Sequence, residues 1–312
     1  MYPIFVFSFN RGRFLAHCIA SIEACVSGAQ VIIIDDGSDD PRTLAQLEYL
    51  SSKYRVLGPT RSSDEEIKTG GLYSNMNLAL NIAEARNERR ALFIQDDMQL
   101  VRTVTGADCL FIDGFFDANP GAIQIQPCFR RRESLSRLVS CAFLDNSGSA
   151  FFLPSIAEKG KDNFSATGVF DIKRVRDFLG EFSVGEGRNS FRCRSLGIKK
   201  GLAAYPFMSW LPYPPSFRGR RRSIIHRSME FFGGAGFHPI DMMSDDDSQR
   251  LLHRQPVTLP VVEDWLFSPS APRHDRWSTG GGEYNLIARG GLIGAAYNSL
   301  RKSKKSVTGW FK

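Results

Sequence analysis

The six cysteines, Cys18, Cys25, Cys109, Cys128, Cys141 and Cys193, form no Cys-x-x-Cys pair and show no His/Cys ligand spacing. That pattern argues against a zinc finger or ribbon. Several lie inside apolar stretches, where free cysteine behaves as a small hydrophobe, so a reducing cytoplasm fits better than an oxidising compartment. No window of about 18 uninterrupted apolar residues exists, which argues against a transmembrane helix. A strand-like run, Ile4-Phe5-Val6-Phe7, comes almost at once, so no signal peptide is expected. Internal repeats are also missing.

What is present reads as ordinary globular protein: 312 residues, 42% hydrophobic and 23% charged. That length has room for one large domain or two modest ones. A formal net charge of +7 makes an anionic partner plausible without saying anything of the fold. Two short buried-strand runs each end in a pair of aspartates. Val31-Ile32-Ile33-Ile34 runs into Asp35-Asp36-Gly37-Ser38-Asp39-Asp40, and Ala91-Leu92-Phe93-Ile94 runs into Gln95-Asp96-Asp97. Such runs suit strands covered on both faces, as in a parallel sheet, and ligands bind outside the carboxyl ends of those strands. Carboxylates there repel phosphates, but they can hold a divalent cation that grips them.

Between these runs the first hundred residues alternate strand and helix. Leu15, Cys18, Ile19, Ile22, Cys25 and Val26 recur at helical spacing. Asp40 reads as an N-cap with Pro41 at the first helical position, and a further helix is expected over roughly Ser74–Arg86. This β-α-β-α-β order implies parallel strands. Farther on, Ala122–Gln126 reads as a strand, Val169–Leu179 as a helix and Leu202–Trp210 as a strand. Past about residue 240 the pattern loosens into loops and short elements, ending in apolar residues followed by Arg301, Lys302, Lys304 and Lys305.

In this order Ser8-Phe9-Asn10-Arg11, the Asp-Asp-Gly-Ser core of 35–38, the helix carrying Asn75 and Asn77, and Gln95-Asp96-Asp97 resemble the N-terminal half of family-2 glycosyltransferases. Gly168-Val169-Phe170-Asp171 and Gly185-Glu186, leading to Arg194-Ser195-Leu196-Gly197-Ile198-Lys199, are similar to that family's acceptor-side block. The resemblance covers roughly residues 3 to 215 and implies a GT-A-like, Rossmann-like α/β fold: a mostly parallel sheet flanked by helices. The expected division is a catalytic domain over 1–240 and a less regular extension over 241–312. It further implies an inverting transfer from a nucleotide-diphosphate sugar to a hydroxyl acceptor, a polysaccharide or lipid-linked glycan, assisted by Mg²⁺ or Mn²⁺.

Residue by residue, the resemblance implies that Phe9, Asn10, Arg11, Asp35, Asp36 and Asp96 bind the nucleotide sugar. Phe9 would pack on the base, and Asp36 would accept from a base N–H. Core packing for Phe9 and turn capping for Asp35 or Asp36 are the plain alternatives. Asp97 would be the metal ligand beside Asp96, although the contiguous pair departs from the family's spaced Asp-x-Asp. Glu186 would be the base, but Gly187 stands where the family usually has the second carboxylate of a Glu-Asp pair. Glu263-Asp264 matches that spelling farther along the chain. His226 and His238 are candidates for a third metal ligand or for plain structural bonds. Arg130–Arg132, Arg218 and Arg220–Arg222 could meet a diphosphate or an anionic acceptor, or lie on solvated surface.

Two rival classes stand beside this reading. A sugar nucleotidyltransferase also mounts a metal aspartate on an α/β sheet, but its glycine-rich phosphate loop is missing from Ser8–Arg13, which holds one glycine. A non-catalytic nucleotide-sugar or glycan-binding module would keep the donor site and lack the base. Nucleic-acid binding has only charge in its favour, with no stacking motif, and is not expected. The Leu286–Lys305 segment suits either the inner surface of an anionic membrane or packing on the catalytic domain.

Overall fold

A computed structural model describes residues 1–58, 70–132, 143–145, 148–152, 163–215, 230–231, 233–275 and 277. Arg218, Arg220–Arg222, His226 and the Leu286–Lys305 segment lie outside the described residues.

The opening alternation folds as expected. β1 (Ile4–Ser8), α1 (Gly12–Cys25), β2 (Val31–Asp35), α2 (Pro41–Ser51), β3 (Arg55–Leu57), α3 (Leu72–Ala85) and β4 (Arg90–Gln95) follow in order. β3, β2, β1 and β4 lie side by side and parallel. β5 (Met98–Leu100), α4 (Gly106–Ala118) and β6 (Ala122–Gln126) come next, then the short strands β7 (Phe143–Leu144) and β8 (Ala150–Phe152). β9 (Gly168–Asp171), α5 (Ile172–Leu179), α6 (Glu186–Ser195), β10 (Lys199–Ala203) and β11 (Met208–Trp210) precede two C-terminal helices, α7 (Asp245–His253) and α8 (Val262–Trp265). The nine-stranded sheet runs β3-β2-β1-β4-β9-β6-β10-β8-β7, and β11 pairs with β5 in a separate ribbon. β9 is antiparallel to both its neighbours, while β6 and β10 are parallel to each other.

Alternation along each strand sorts the core into two layers. Ile4, Val6, Val31, Ile33, Leu92 and Ile94 face one way, against Leu15, Cys18, Ile19 and Ile22 of α1 and Phe115 of α4. Phe5, Phe7, Ile32, Ile34 and Phe93 face the other, against Met76, Ala79 and Leu80 of α3 and Val175 of α5. This period of two is what a strand covered on both faces must show. A third cluster joins Ile240, Leu251, Val262, Leu266 and Trp277 to Phe14, Val101, Phe129 and Leu211. Burial raises the thiols of Cys18, Cys25, Cys128 and Cys193, as suits inert core residues.

Two expected elements differ. Residues expected as one helix over Val169–Leu179 divide at Asp171, whose carboxylate accepts from Arg174 N–H at 3.1 Å and caps α5. The β-prone Val169 and Phe170 before that cap complete the sheet between β4 and β6. The strand expected over Leu202–Trp210 breaks around Pro206, so its two ends serve different sheets.

Candidate active site

The carboxyl ends of β2 and β4 flank the end of β1. Asp36 N–H donates to Ser8 O at 2.9 Å, and Asp96 N–H donates to Phe7 O at 3.0 Å. Two strand spacings, roughly 10 Å, therefore separate the two acidic pairs along a common rim.

The loop after β2 is a set of local bonds. Asp35 accepts from Ser38 N–H at 2.7 Å and from its hydroxyl at 2.6 Å, so it caps its own turn. Asp40 accepts from Thr43 N–H at 2.8 Å and caps α2, as its place before Pro41 predicts. Asn10, in the left-handed region at φ 51°, accepts from Asp39 and Asp40 N–H and so ties this loop to the end of β1. Asp36 turns the other way, to α3, where its Oδ2 accepts from Gly71 N–H at 2.8 Å. A Cβ at Gly71 would stand 2.2 Å from Asp36 Oδ1, so only glycine permits that approach.

Opposite stands a buried charge cluster. Arg11 Nη1 reaches Asp97 Oδ2 at 2.6 Å and Asp96 Oδ1 at 3.3 Å, while Nη2 donates to Pro215 O at 2.7 Å. Asp96 Oδ2 accepts from Phe9 N–H at 3.1 Å. Phe9 itself is half-buried and belongs to none of the buried clusters. Among the described residues, one guanidinium pairs with two carboxylates here. Burial pushes the Asp96 carboxyl up to about 7, Arg11 opposes that, and Asp97 adds to it. Among the described residues, Asp97 Oδ1 is buried and accepts no hydrogen bond.

These features fit a divalent cation. A hard ion accepts one or two carboxylates and completes its shell with phosphate oxygens and water. Asp97 has a buried oxygen to offer, and the pair has charge to neutralise. No group of three or more His, Cys, Asp or Glu side chains that could hold an ion occurs among the described residues. His238 joins no such group: its ring nitrogens pair with Gly234 O at 2.8 Å and Ser270 Oγ at 3.3 Å.

Beside the rim opens a cleft of about 370 Å³, which begins at Gln95, next to Asp96, and is also lined by Glu186. Glu186 is the first residue of α6, where the helix dipole favours a carboxylate. Tyr73 lies close enough for the Glu186 charge to add to the effect of burial in raising its phenol. Glu263 and Asp264 do not line the cleft. Glu263 accepts from Arg132 N–H at 2.9 Å, and Asp264 forms an ion pair with the Arg132 guanidinium. Arg130 and Arg131 do line the cleft, and so does Lys200, which was not among the residues expected from sequence. Its signal was strand alternation, which sets Lys200 on the face of Leu202 and hence inward.

No protein-family model matches the chain, and no curated protein does. Solved structures of similar architecture include S. aureus TarS 1–349, with 16% identity over 67% of this chain and 60% of that one, TM-score 0.45. The chain thus spans less than two thirds of that protein fragment. Another is the mannosyltransferase PcManGT from Pyrobaculum calidifontis in complex with GDP-Man and Mn²⁺, with 13% identity over 98% and 80%, TM-score 0.41. A third is a nucleotidyl transferase from Methanothermobacter thermautotroptrophicus, with 11% identity over 66% and 88%, TM-score 0.36. At these scores the likenesses carry no argument about chemistry. Among the described residues, no helix is long and apolar enough to cross a membrane.

Proposed function

We propose that the chain is an inverting glycosyltransferase of GT-A type, moving a sugar from a nucleotide-diphosphate donor to a hydroxyl acceptor. The observation that supports this reading is that Asp36 and the Asp96–Asp97 pair follow strands on either side of β1, and that Gln95, next to Asp96, lines a cleft that Glu186 also lines. Asp36, held against the start of α3, contacts the nucleoside. Asp97, with Asp96, holds Mg²⁺ or Mn²⁺, which when bound supplies positive charge to the diphosphate leaving group. Arg11 orients both carboxylates and keeps them from repelling each other apart. Glu186 takes the acceptor hydroxyl's proton as that oxygen bonds to the anomeric carbon and the bond to the diphosphate breaks. Glu186 lines the cleft whereas Glu263 and Asp264 do not, which favours Glu186 as base.

A panel of nucleotide sugars, each with and without Mn²⁺, tests this by thermal shift, because a ligand selective for the folded state raises Tm by mass action. One donor should stabilise the protein only with metal, and Asp97→Ala should abolish that response, measured against the variant's own metal-free Tm. An Asp97→Ala protein with an undiminished metal-dependent shift would end the assignment. Release of a nucleoside diphosphate on turnover, rather than pyrophosphate, separates this reading from nucleotidyl transfer.

A further inference from the structure

We propose that the cleft between β6, β10 and α6 receives an anionic group, a phosphate or carboxylate carried by the acceptor, at Lys200 and Arg130. Calling its owner the acceptor rests on the glycosyl transfer proposed above; the anion site itself does not. Among the described residues, the charged side chains lining the cleft are Arg130, Arg131, Lys200 and Glu186. Three cations to one carboxylate give this described lining a cationic character inside a walled space, where a lowered dielectric strengthens the pull on an anion.

The two central cations are built in. Lys200 is 7% exposed and sits in β10, flanked by β6 and β8. Arg130 is pinned on both sides of its backbone, donating N–H to Pro260 O at 3.0 Å and accepting from Val262 N–H at 2.7 Å. Its Nη1 donates to Gln126 Oε1 at 3.0 Å, and Gln126 Nε2 in turn donates to Ser165 Oγ at 2.9 Å. A guanidinium held this way loses little freedom when it meets an oxyanion. Tyr73, Phe129, Phe164 and Trp210 supply apolar wall around these charges, as a ligand with a carbon body and one charged end requires.

The donor's own diphosphate is a poor occupant. From β4, which carries the Asp96–Asp97 pair, β6 is two strand spacings away and β10 three. That is about 10 and 14 Å along the sheet. A diphosphate gripped at Asp97 leaves the far end of the cleft to another molecule.

Inorganic phosphate titrated calorimetrically into the full chain tests the site, first alone and then with Mn²⁺ and saturating UDP or GDP. Saturable binding at one site is expected, retained with nucleotide present. Lys200→Met and Arg130→Met should each weaken phosphate at least tenfold while nucleotide affinity changes less than twofold. Where Lys200→Met fails to fold, the half-buried Arg130 decides the question alone. Loss of phosphate binding on adding nucleotide would overturn the proposal and give the cluster to the donor. No saturable binding, or binding unchanged in Arg130→Met, would overturn it equally. Acetate titrated in parallel tells the carboxylate from the phosphate, the tighter ion naming the group and either one supporting the site. None of these arms needs turnover, so a protein that binds phosphate but no nucleotide counts against glycosyl transfer and leaves the anion site standing.

Discussion

Asp96 sets up the sharpest electrostatic test. Its carboxyl is 4% exposed and shares a single guanidinium with Asp97. Burial dominates and raises it from 3.8 to about 7, a gap worth of order 4 kcal/mol. A carboxyl raised by folding favours the folded state in its protonated form. That contribution is complete below about pH 4 and is lost as the pH climbs through 7. Asp96→Asn removes the titration, and its single amide oxygen can keep the bond from Phe9 N–H while Arg11 keeps its closer partner, Asp97. Between pH 5 and pH 8.5 about 3 kcal/mol is at stake, or roughly 4 °C in Tm for a chain of this size. Differential scanning calorimetry should therefore show the wild-type Tm falling by about that much relative to Asp96→Asn across this range. Mn²⁺ should return most of the loss at pH 8.5, because the ionised pair is the form that binds a cation. Parallel pH profiles for the two proteins would refute the reasoning.

Glu186→Gln should lower kcat by about 10²- to 10⁴-fold with nucleotide affinity unchanged, read by single-turnover assay with the donor found in the panel. A variant within threefold of wild type would move the base elsewhere. Gly71→Ala must push the Asp36 carboxylate aside, since the new Cβ would lie 2.2 Å from its Oδ1. Nucleotide affinity should drop about tenfold, equivalent to ~1.4 kcal/mol, measured by calorimetric titration. Asp108→Ala should cost about 3–5 kcal/mol in urea unfolding, because it strands the Arg102 guanidinium, which is 1% exposed and held by Asp108 at 2.6 and 3.1 Å.

How much of this was legible depends on the range of the interactions involved. The parallel half of the sheet was readable because β1, β2 and β4 carry unbroken apolar runs of four residues, and because Asp40 and Pro41 mark the start of α2 locally. Turn capping was an alternative for both Asp35 and Asp36, yet Asp35 accepts from Ser38 N–H three residues on and Asp36 reaches thirty-five residues ahead to Gly71. No local pattern separates a cap from a long-range contact. Arg11 was tied to the nucleotide only by resemblance; its position between Asp96 and Asp97 follows from β1 lying beside β4, a fact of topology. Lys200 escaped notice because the strand was expected to begin only at Leu202, whereas it begins at Lys199.

The direction of β9 explains why the cleft lies where it does. β4 and β6 run the same way and end at the same rim, with Gln95 and Gln126 at their tips. β9 runs opposite between them, so the chain entering it, Phe164–Thr167, reaches that rim from the other side. Gln124 and Gln126 fasten this entering segment, donating to Ser165 O at 2.7 Å and Thr167 O at 2.8 Å, and to Ser165 Oγ at 2.9 Å. The strand can begin so close to β6 only because Gly168, at φ 136°, has no side chain; a Cβ there would lie 2.6 Å from Ile125 O. One glycine thus lets an antiparallel strand insert into a parallel sheet. The crevice made by that reversal is lined by Glu186 and the cationic cluster together with Gln95, the residue before Asp96.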